Sequence, residues 1–276
     1  MNNLICCGLC PRKCILKEGA LGFCKARKNV GGKVISLSYG KLLSIALDPI
    51  EKKPLNRFKS GTRILSVGSF GCNMNCCFCQ NHEIARAGES DHKTYEFSPA
   101  ELTEIALREK IRGNIGIAFT YNEPLVGFEY VLDTSIKAKQ AGLETVLVTN
   151  GQINESCLRE LLPHISAWNI DLKCFNEEGY RKLGGDFNTT LKTIELASEV
   201  SHVEVTTLVV PGISDNLEEL EAEAIFLSKL SKDMPLHLSR YFPRYLCKEK
   251  PTDLKLLSEM KKIAEEHLKF VYLGNV

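Results

Sequence analysis

RILSVGSFGCNMNCCFCQN, residues 63–81, sets an apolar run directly against a cysteine-rich loop. The run at 64–70 is short, apolar and followed by turn residues, which reads as a strand buried on both faces. Cys72, Cys76 and Cys79 then form a Cys-x3-Cys-x2-Cys array, with the aromatic Phe78 just before the last cysteine. Three thiolates at that spacing can ligate three irons of a [4Fe–4S] cluster. A complete electron-carrier cluster takes four cysteines, so the remaining iron is open to another ligand. Zinc ligands come in pairs two to four residues apart and close with a second pair, a pattern this triad fits poorly. Cysteines buried only for packing would follow the period of a helix or strand, and these do not. Cys77 matches neither gap and reads as a packing residue.

Outward from this stretch, apolar runs alternate with helical patterns, the signature of βα units on a parallel sheet. The strand-like runs lie at 64–70, 115–120, 145–149, 167–172, 203–209 and 236–239. Helical periodicity marks 125–141, 154–162, 189–199, 216–230 and 252–267. A further helix starts at Ser98-Pro99, with Pro in the first position and Glu101 in the first turn. A short apolar run at 270–273 can close or flank the sheet. Six βα units over about 215 residues average about 35 each, enough for a βαβ unit. A full eightfold barrel needs about 250 residues. The expected fold is therefore α/β: a partial (β/α)6 TIM-type barrel over 62–276. A cysteine-rich N-terminal extension and strand/loop cap precede it at 1–61.

The chain has 276 residues with 35 Lys and Arg against 34 Asp and Glu, a net charge of +1. No global field draws it to nucleic acid or to an anionic membrane, and both partners are disfavoured. The start, MNNLICC, lacks a basic region and a long apolar core, and no run approaches the ~18 residues of a spanning helix. Twelve cysteines in clustered, metal-like spacings suit a reducing compartment. A cytoplasmic protein is expected.

In a barrel of this kind the C-terminal strand ends share one mouth, where chemistry collects. The first strand exits into the triad and the second into Thr120-Tyr121-Asn122-Glu123-Pro124. The next three give Thr149-Asn150-Gly151, Asp171-Leu172-Lys173 and Pro211-Gly212, and the last runs from His237 to Pro243. Singly, each has a bland reading: Asn-Gly is a turn signal, an Asp–Lys pair is a surface ion pair of little consequence, and a lone histidine is structural. Their coincidence at successive strand ends favours a site.

The triad resembles the radical S-adenosylmethionine (SAM) superfamily, whose signature is Cys-x3-Cys-x-aromatic-Cys. The resemblance implies that Cys72, Cys76 and Cys79 ligate the cluster and that the amino and carboxylate groups of SAM chelate the open iron. Reductive cleavage of SAM then gives methionine and a 5′-deoxyadenosyl radical that abstracts hydrogen. The backbone around Phe78 and Gln80 would lie along the adenine. Glu123 and the backbone of Tyr121 and Asn122 would accept from the SAM ammonium, resembling a Gly-Gly-Glu-Pro motif with Tyr-Asn in place of the glycines. Thr149 and Asn150 are assigned to ribose or carboxylate, Lys173 to the carboxylate, and Asp171 to orienting Lys173 or a ribose hydroxyl. His237 and Arg240 are assigned to the nucleoside or substrate. The Asp-Leu-Lys, Thr-Asn-Gly and triad set looks like the pyruvate formate-lyase activating-enzyme branch, over about residues 62–243.

A narrower likeness lies in DPIEKKPLNRF (48–58), GCNMNCCFCQN and HLSRYFP (237–243), which look like the radical SAM member of the AmmeMemoRadiSam group. Lys52 and Lys53 have two readings, cations over the cluster mouth or part of a solvated charged loop. Relatives of that group tend to continue past a Gly-Asn like Gly274-Asn275 into a cysteine-containing tail, so a natural short form and a truncated chain are both open.

Cys7-x2-Cys10-x3-Cys14-x9-Cys24 is a second metal signal, four thiols in a glycine-punctuated loop. Structural zinc and a second [4Fe–4S] cluster both suit it. Cys6, Cys157, Cys174 and Cys247 have no matching partners and read as packing residues. The leading expectation is an enzyme, a radical SAM oxidoreductase acting on an unidentified protein or small molecule. It would draw on a low-potential electron donor of flavodoxin or ferredoxin type. Activation of a glycyl-radical enzyme is the near alternative. A non-catalytic iron–sulfur or zinc protein, serving electron transfer or as a scaffold, is the alternative of another class.

Overall fold

A computed structural model describes residues 4–276. Eight strands build one sheet in chain order: β1 (Ser44–Pro49), β2 (Arg63–Gly68), β3 (Asn114–Phe119), β4 (Glu144–Thr149), β5 (Ala167–Asp171), β6 (His202–Val209), β7 (Leu236–Arg240) and β8 (Val271–Gly274). β1 is antiparallel to β2, with Ser44 opposite Gly68 and Pro49 opposite Arg63. Every later pairing is parallel. Six βα units and a seventh parallel strand make a partial barrel, as the alternating apolar runs imply. Among the described residues the two edge strands, β1 and β8, do not pair with each other.

The outer helices are α1 (Pro99–Arg108), α2 (Phe128–Gln140), α3 (Glu155–Leu161), α4 (Phe187–Ser198), α5 (Leu217–Leu230) and α6 (Leu254–Glu265). Their starts follow local chemistry. Ser98 Oγ accepts from the Glu101 amide while the Glu101 carboxylate accepts from the Ser98 amide at 2.7 Å, a capping box. Asp186 and Asn216 cap α4 and α5 by accepting from Thr189 N at 2.7 Å and Glu219 N at 2.9 Å. One short helix, Glu177–Lys182, was not expected from periodicity. Gly179 interrupts its pattern, although Asn176-Glu177-Glu178 is a start signal and Asn176 Oδ1 does accept from Gly179 N at 2.6 Å.

β1 lies before the 61/62 boundary yet hydrogen-bonds along the full length of β2. The segment after it, DPIEKKPLNRF, is not a solvated loop. Ile50 and Leu55 are fully buried against Ile64, Ala118, Val146 and Ala167. The amides of Asn56 and Arg57 donate to the Glu204 carboxylate at 3.0 and 2.7 Å, and Asn169 Nδ2 donates to Pro54 O at 2.9 Å. The Arg57 guanidinium covers the Phe270 ring at 4.1 Å, just before β8. The segment thus runs as a strap from β1 across to the last strands. Its charges are held by pairing, since Lys53 Nζ lies 2.9 Å from Asp48 Oδ2. Among the described residues no helix is long and apolar enough to cross a membrane.

Candidate active site

A cavity of about 390 Å³ opens where the parallel strands end. Cys72, Cys76 and Cys79 line it, and so do Phe78 and Gln80 from the same loop. From the neighbouring strand ends come Tyr121, Asn122, Glu123, Thr149, Asn150, Asp171 and Lys173. These residues, drawn from four separate chain segments, therefore share one space. His237 and Arg240 do not line it.

The cluster loop is held by its carbonyls. Arg12 Nη2 donates to Gly184 O at 2.7 Å and its Nε to Asn73 O. Arg86 Nη2 donates to Cys72 O at 3.1 Å and also to Met74 O. Two guanidinium groups thus stand behind a loop that would carry an anionic cluster. The Cys72 sulfur accepts from Met74 N at 3.4 Å and from Asn150 Nδ2 at 3.7 Å. Burial pushes the Cys72 thiol well above the ordinary cysteine value, and Glu123 and Cys76 add to the rise. Cys76 is pushed up to about 11, again chiefly by burial, with Lys173 pulling the other way. Protons so held must be displaced when metal binds.

Among the described residues no three Cys, His, Asp or Glu side chains are gathered tightly enough for one metal ion. A single ion requires every thiolate about 2.3 Å from a common centre. A cubane places each thiolate on its own iron, so three cysteines around a shared cavity, with basic groups behind and N–H donors on sulfur, fit a polynuclear cluster.

Glu123 is buried, and its carboxylate is engaged. Oε1 accepts from Thr149 Oγ1 at 2.6 Å and Leu125 N at 3.0 Å, and Oε2 accepts from Asn150 N at 2.8 Å. Burial nevertheless raises its pKa to about 7. In place of an open acceptor for an ammonium, the side chain ties the β3 exit to the β4 exit. Thr149 is likewise spent on Glu123, and the Asn150 amide turns to Asn73 Oδ1 at 2.9 Å and the Cys72 sulfur.

Tyr121 sits at φ +73°, the left-handed region that favours glycine. The backbone a glycine would supply is kept, and the ring is held at its edge of the cavity. Its hydroxyl donates to Asp48 Oδ2 at 2.8 Å, and a Cβ on Gly68 would lie 2.8 Å from its ring. Asn122 braces the same turn, donating through Nδ2 to Phe70 O and Gly71 O at 3.1 Å each.

Lys173 Nζ lies 2.8 Å from Asp171 Oδ2. Burial alone would lower its pKa, but the Asp171 carboxylate and Cys76 outweigh it and the net direction is up. A permanent cation therefore stands at the cavity wall.

His237 is corrected by its depth. It is the second residue of β7, far from the mouth, and its Nε2 lies 2.6 Å from Glu204 Oε2 while the ring stacks on Tyr272. Arg240 is drawn away, its Nε donating to Thr252 O at 3.0 Å and its guanidinium lying over Phe242. Cys6 is exposed and does not pack, whereas Cys174 and Cys247 are buried. Lys52 lines the cavity, paired with Asp48 at 3.5 Å, whereas Lys53 is buried beneath Tyr121. Sequence reading passed over Asn73, Ser239 and Asn275. Asn73 lay inside the triad motif, and the other two were visible only as positions on or beside the last strands.

A strand-end cavity lined by a cysteine triad on a partial barrel is suited to hold a polynuclear cluster with a coordination position left free. The model of the Radical SAM superfamily matches residues 66–224, and the chain belongs to that superfamily and is an enzyme of its type. The uncharacterized protein MJ0808 of Methanocaldococcus jannaschii is 40% identical, over 100% of this chain and 82% of its own length. The pyruvate formate-lyase 1-activating enzyme of Escherichia coli (strain K12) is 28% identical over 59% of this chain and 66% of that enzyme. Streptococcus suis SuiB bound to S-adenosylmethionine shares the fold, with a TM-score of 0.59 at 16% identity over 76% of this chain and 51% of SuiB.

Proposed function

We propose that this enzyme binds SAM in the strand-end cavity and uses it to abstract hydrogen from a protein or small-molecule substrate. The observation that carries the reading is that the open triad and the Lys173–Asp171 pair line the same cavity. When bound and reduced, a [4Fe–4S] cluster supplies the electron that splits the SAM sulfonium.

Cys72, Cys76 and Cys79 would hold that cluster, and their neighbours supply the rest. Lys173 offers a charge for the SAM carboxylate, and Asp171 fixes where that charge sits. Phe78 and the backbone at Gln80 offer an apolar edge and polar groups for the adenine. Glu123 acts through others, holding the Thr149–Asn150 turn so that the Asn150 amide stays on the Cys72 sulfur. Met74, Pro54, Val148 and Leu208 line the cavity with apolar surface that limits water around a reactive intermediate.

Similarity to the Escherichia coli activating enzyme supports a second reading, activation of a glycyl-radical enzyme, in which the donor is a backbone glycine. A protein reductant of flavodoxin or ferredoxin type serves either reading. SAM binding at the open iron is tested by electron paramagnetic resonance (EPR) of the reduced, cluster-loaded protein. Added SAM should change the spectrum in the wild type, and in Lys173→Met the same change should need at least tenfold more SAM. A wild-type spectrum indifferent to saturating SAM would remove the basis of the reading.

A further inference from the structure

The N-terminal loop has a built site of its own. A two-stranded ribbon pairs Ile5–Cys6 with Ile15–Leu16, and Cys7 N donates to Cys14 O at 2.8 Å. Within it, Lys13 N donates to Cys10 O at 3.1 Å with Lys13 at φ +45°. A matching turn follows at the fourth cysteine, where Lys25 N donates to Gly22 O at 2.9 Å with Lys25 at φ +60°.

Cys7, Cys10 and Cys24 are buried and Cys14 is half-buried, and none is in a disulfide. Cys7, Cys14 and Cys24 all lie within electrostatic reach of Cys10. Beside them Arg27 is 6% exposed. Its terminal nitrogens make a bidentate pair with Glu129 at 2.8 and 2.7 Å, while its Nε has no partner among the described residues. Cys7 and Cys24 both act electrostatically on that guanidinium. A buried cation with a spare N–H close to Cys7 and Cys24 is suited to a centre with net negative charge.

The position is equally specific. Gly71, immediately before Cys72, sits at φ +90°, and a Cβ there would fall 2.5 Å from Cys24 O and 2.9 Å from the Ala26 side chain. The loop carrying the fourth N-terminal cysteine therefore lies in van der Waals contact with the loop carrying the first cysteine of the triad. Leu4, Ile15, Leu21 and Phe23 are exposed around this module, and apart from the buried Arg27 residues 4–30 carry five Lys and Arg against one Glu. That surface is apolar with a positive rim, complementary to an acidic protein donor.

We propose that Cys7, Cys10, Cys14 and Cys24 ligate a second [4Fe–4S] cluster that passes electrons across the Cys24–Gly71–Cys72 contact to the SAM-cleaving cluster. An acidic donor of the ferredoxin or flavodoxin class supplies one electron to the second cluster. That electron then moves to the first, with no bond made or broken and no proton transferred. Zinc, which cannot change oxidation state, has no part in such a step. The relay rests on the proposed function, whereas the presence of the second centre does not.

The test is anaerobic reconstitution of the full chain with iron and sulfide, in the wild type and in Cys72→Ala/Cys76→Ala/Cys79→Ala. The wild type should carry about eight irons, and the triple variant about four, as one complete cluster. The variant's reduced EPR signal should not respond to SAM. A triple variant with no iron, or with one zinc per chain, overturns the second cluster. In Cys10→Ser/Cys24→Ser the SAM-responsive signal and dithionite-driven SAM cleavage should persist, while cleavage driven by a reduced ferredoxin falls at least tenfold. An unchanged ferredoxin-driven rate overturns the relay. Should that variant fail to fold, the iron content of the triple variant decides the second cluster alone. Failure of SAM cleavage in a wild type that holds both clusters counts against the proposed function and leaves this centre standing.

Discussion

The Nδ2 of Asn150, at the end of β4, lies 3.7 Å from the Sγ of Cys72 and donates to it. Hydrogen bonds to a ligating sulfur stabilise the more negative, reduced cluster. In Asn150→Ala the midpoint potential of the triad cluster should therefore become more negative. Spectroelectrochemical titration reads the shift, and an unmoved potential would mean that this contact has no electronic role.

Lys173→Met removes the cavity cation but keeps its length and much of its volume. The affinity for SAM should fall at least tenfold, equivalent to about 1.4 kcal/mol, while cluster content stays at the wild-type level. Equilibrium binding to the reconstituted protein checks this. Equal affinity would place the SAM carboxylate elsewhere.

Gly71→Ala should cost about 2–4 kcal/mol of stability, from backbone strain at positive φ together with the collision at Cys24 O. The measurable outcome is a lower urea midpoint, accompanied by loss of iron from both cysteine sets because the two loops can no longer pack.

Two buried glutamates give opposite pH signatures. Burial alone would raise Glu204, but His202, His237 and the Arg57 amide outweigh it and hold its pKa at about 2. Its folded value lies below the unfolded one, so its stabilisation is present above about pH 4.5 and is lost as pH falls toward 2. Glu204→Gln should cost about 3–5 kcal/mol at neutral pH, because two imidazoles and the strap lose their shared carboxylate.

Glu223 on α5 is raised to about 8 by burial, with Thr207 Oγ1 as its hydrogen-bond partner at 2.6 Å. A folded value above the unfolded one means that stability declines as pH rises from about 4.5 through 8. Glu223→Gln should remove that decline and stabilise the protein at pH 9 by a few kcal/mol, read from urea unfolding at pH 6 and pH 9. A decline of the same size in the variant would assign it to another group.

The barrel was legible because parallel strands covered on both faces are near-continuous apolar runs, and 64–70, 115–120 and 203–209 are of that kind. The triad was legible because ligand spacing is local. His237 was misread because a polar residue in a short strand does not announce its depth. It lies two residues into β7, opposite Thr206, where Glu204 can reach it. For Lys52 and Lys53 the sequence left a place over the cluster mouth and a solvated loop both open. Only the burial of Ile50 and Leu55, a long-range event, draws Lys53 inside, while Lys52 stays largely exposed at the cavity edge. Glu123 was legible as a polar residue at a strand end, but its three donors come from Leu125, Thr149 and Asn150, the latter two on another strand end. No sequence pattern shows that its oxygens are already occupied.

The central claim is that the cavity joining the triad to Lys173 cleaves SAM. Its most direct test is the release of 5′-deoxyadenosine by anaerobically reconstituted, reduced protein supplied with SAM. Release from the wild type and none from Cys76→Ala is the predicted result. Cluster-loaded, reduced wild-type protein that forms no 5′-deoxyadenosine, even slowly and without a substrate, would contradict it.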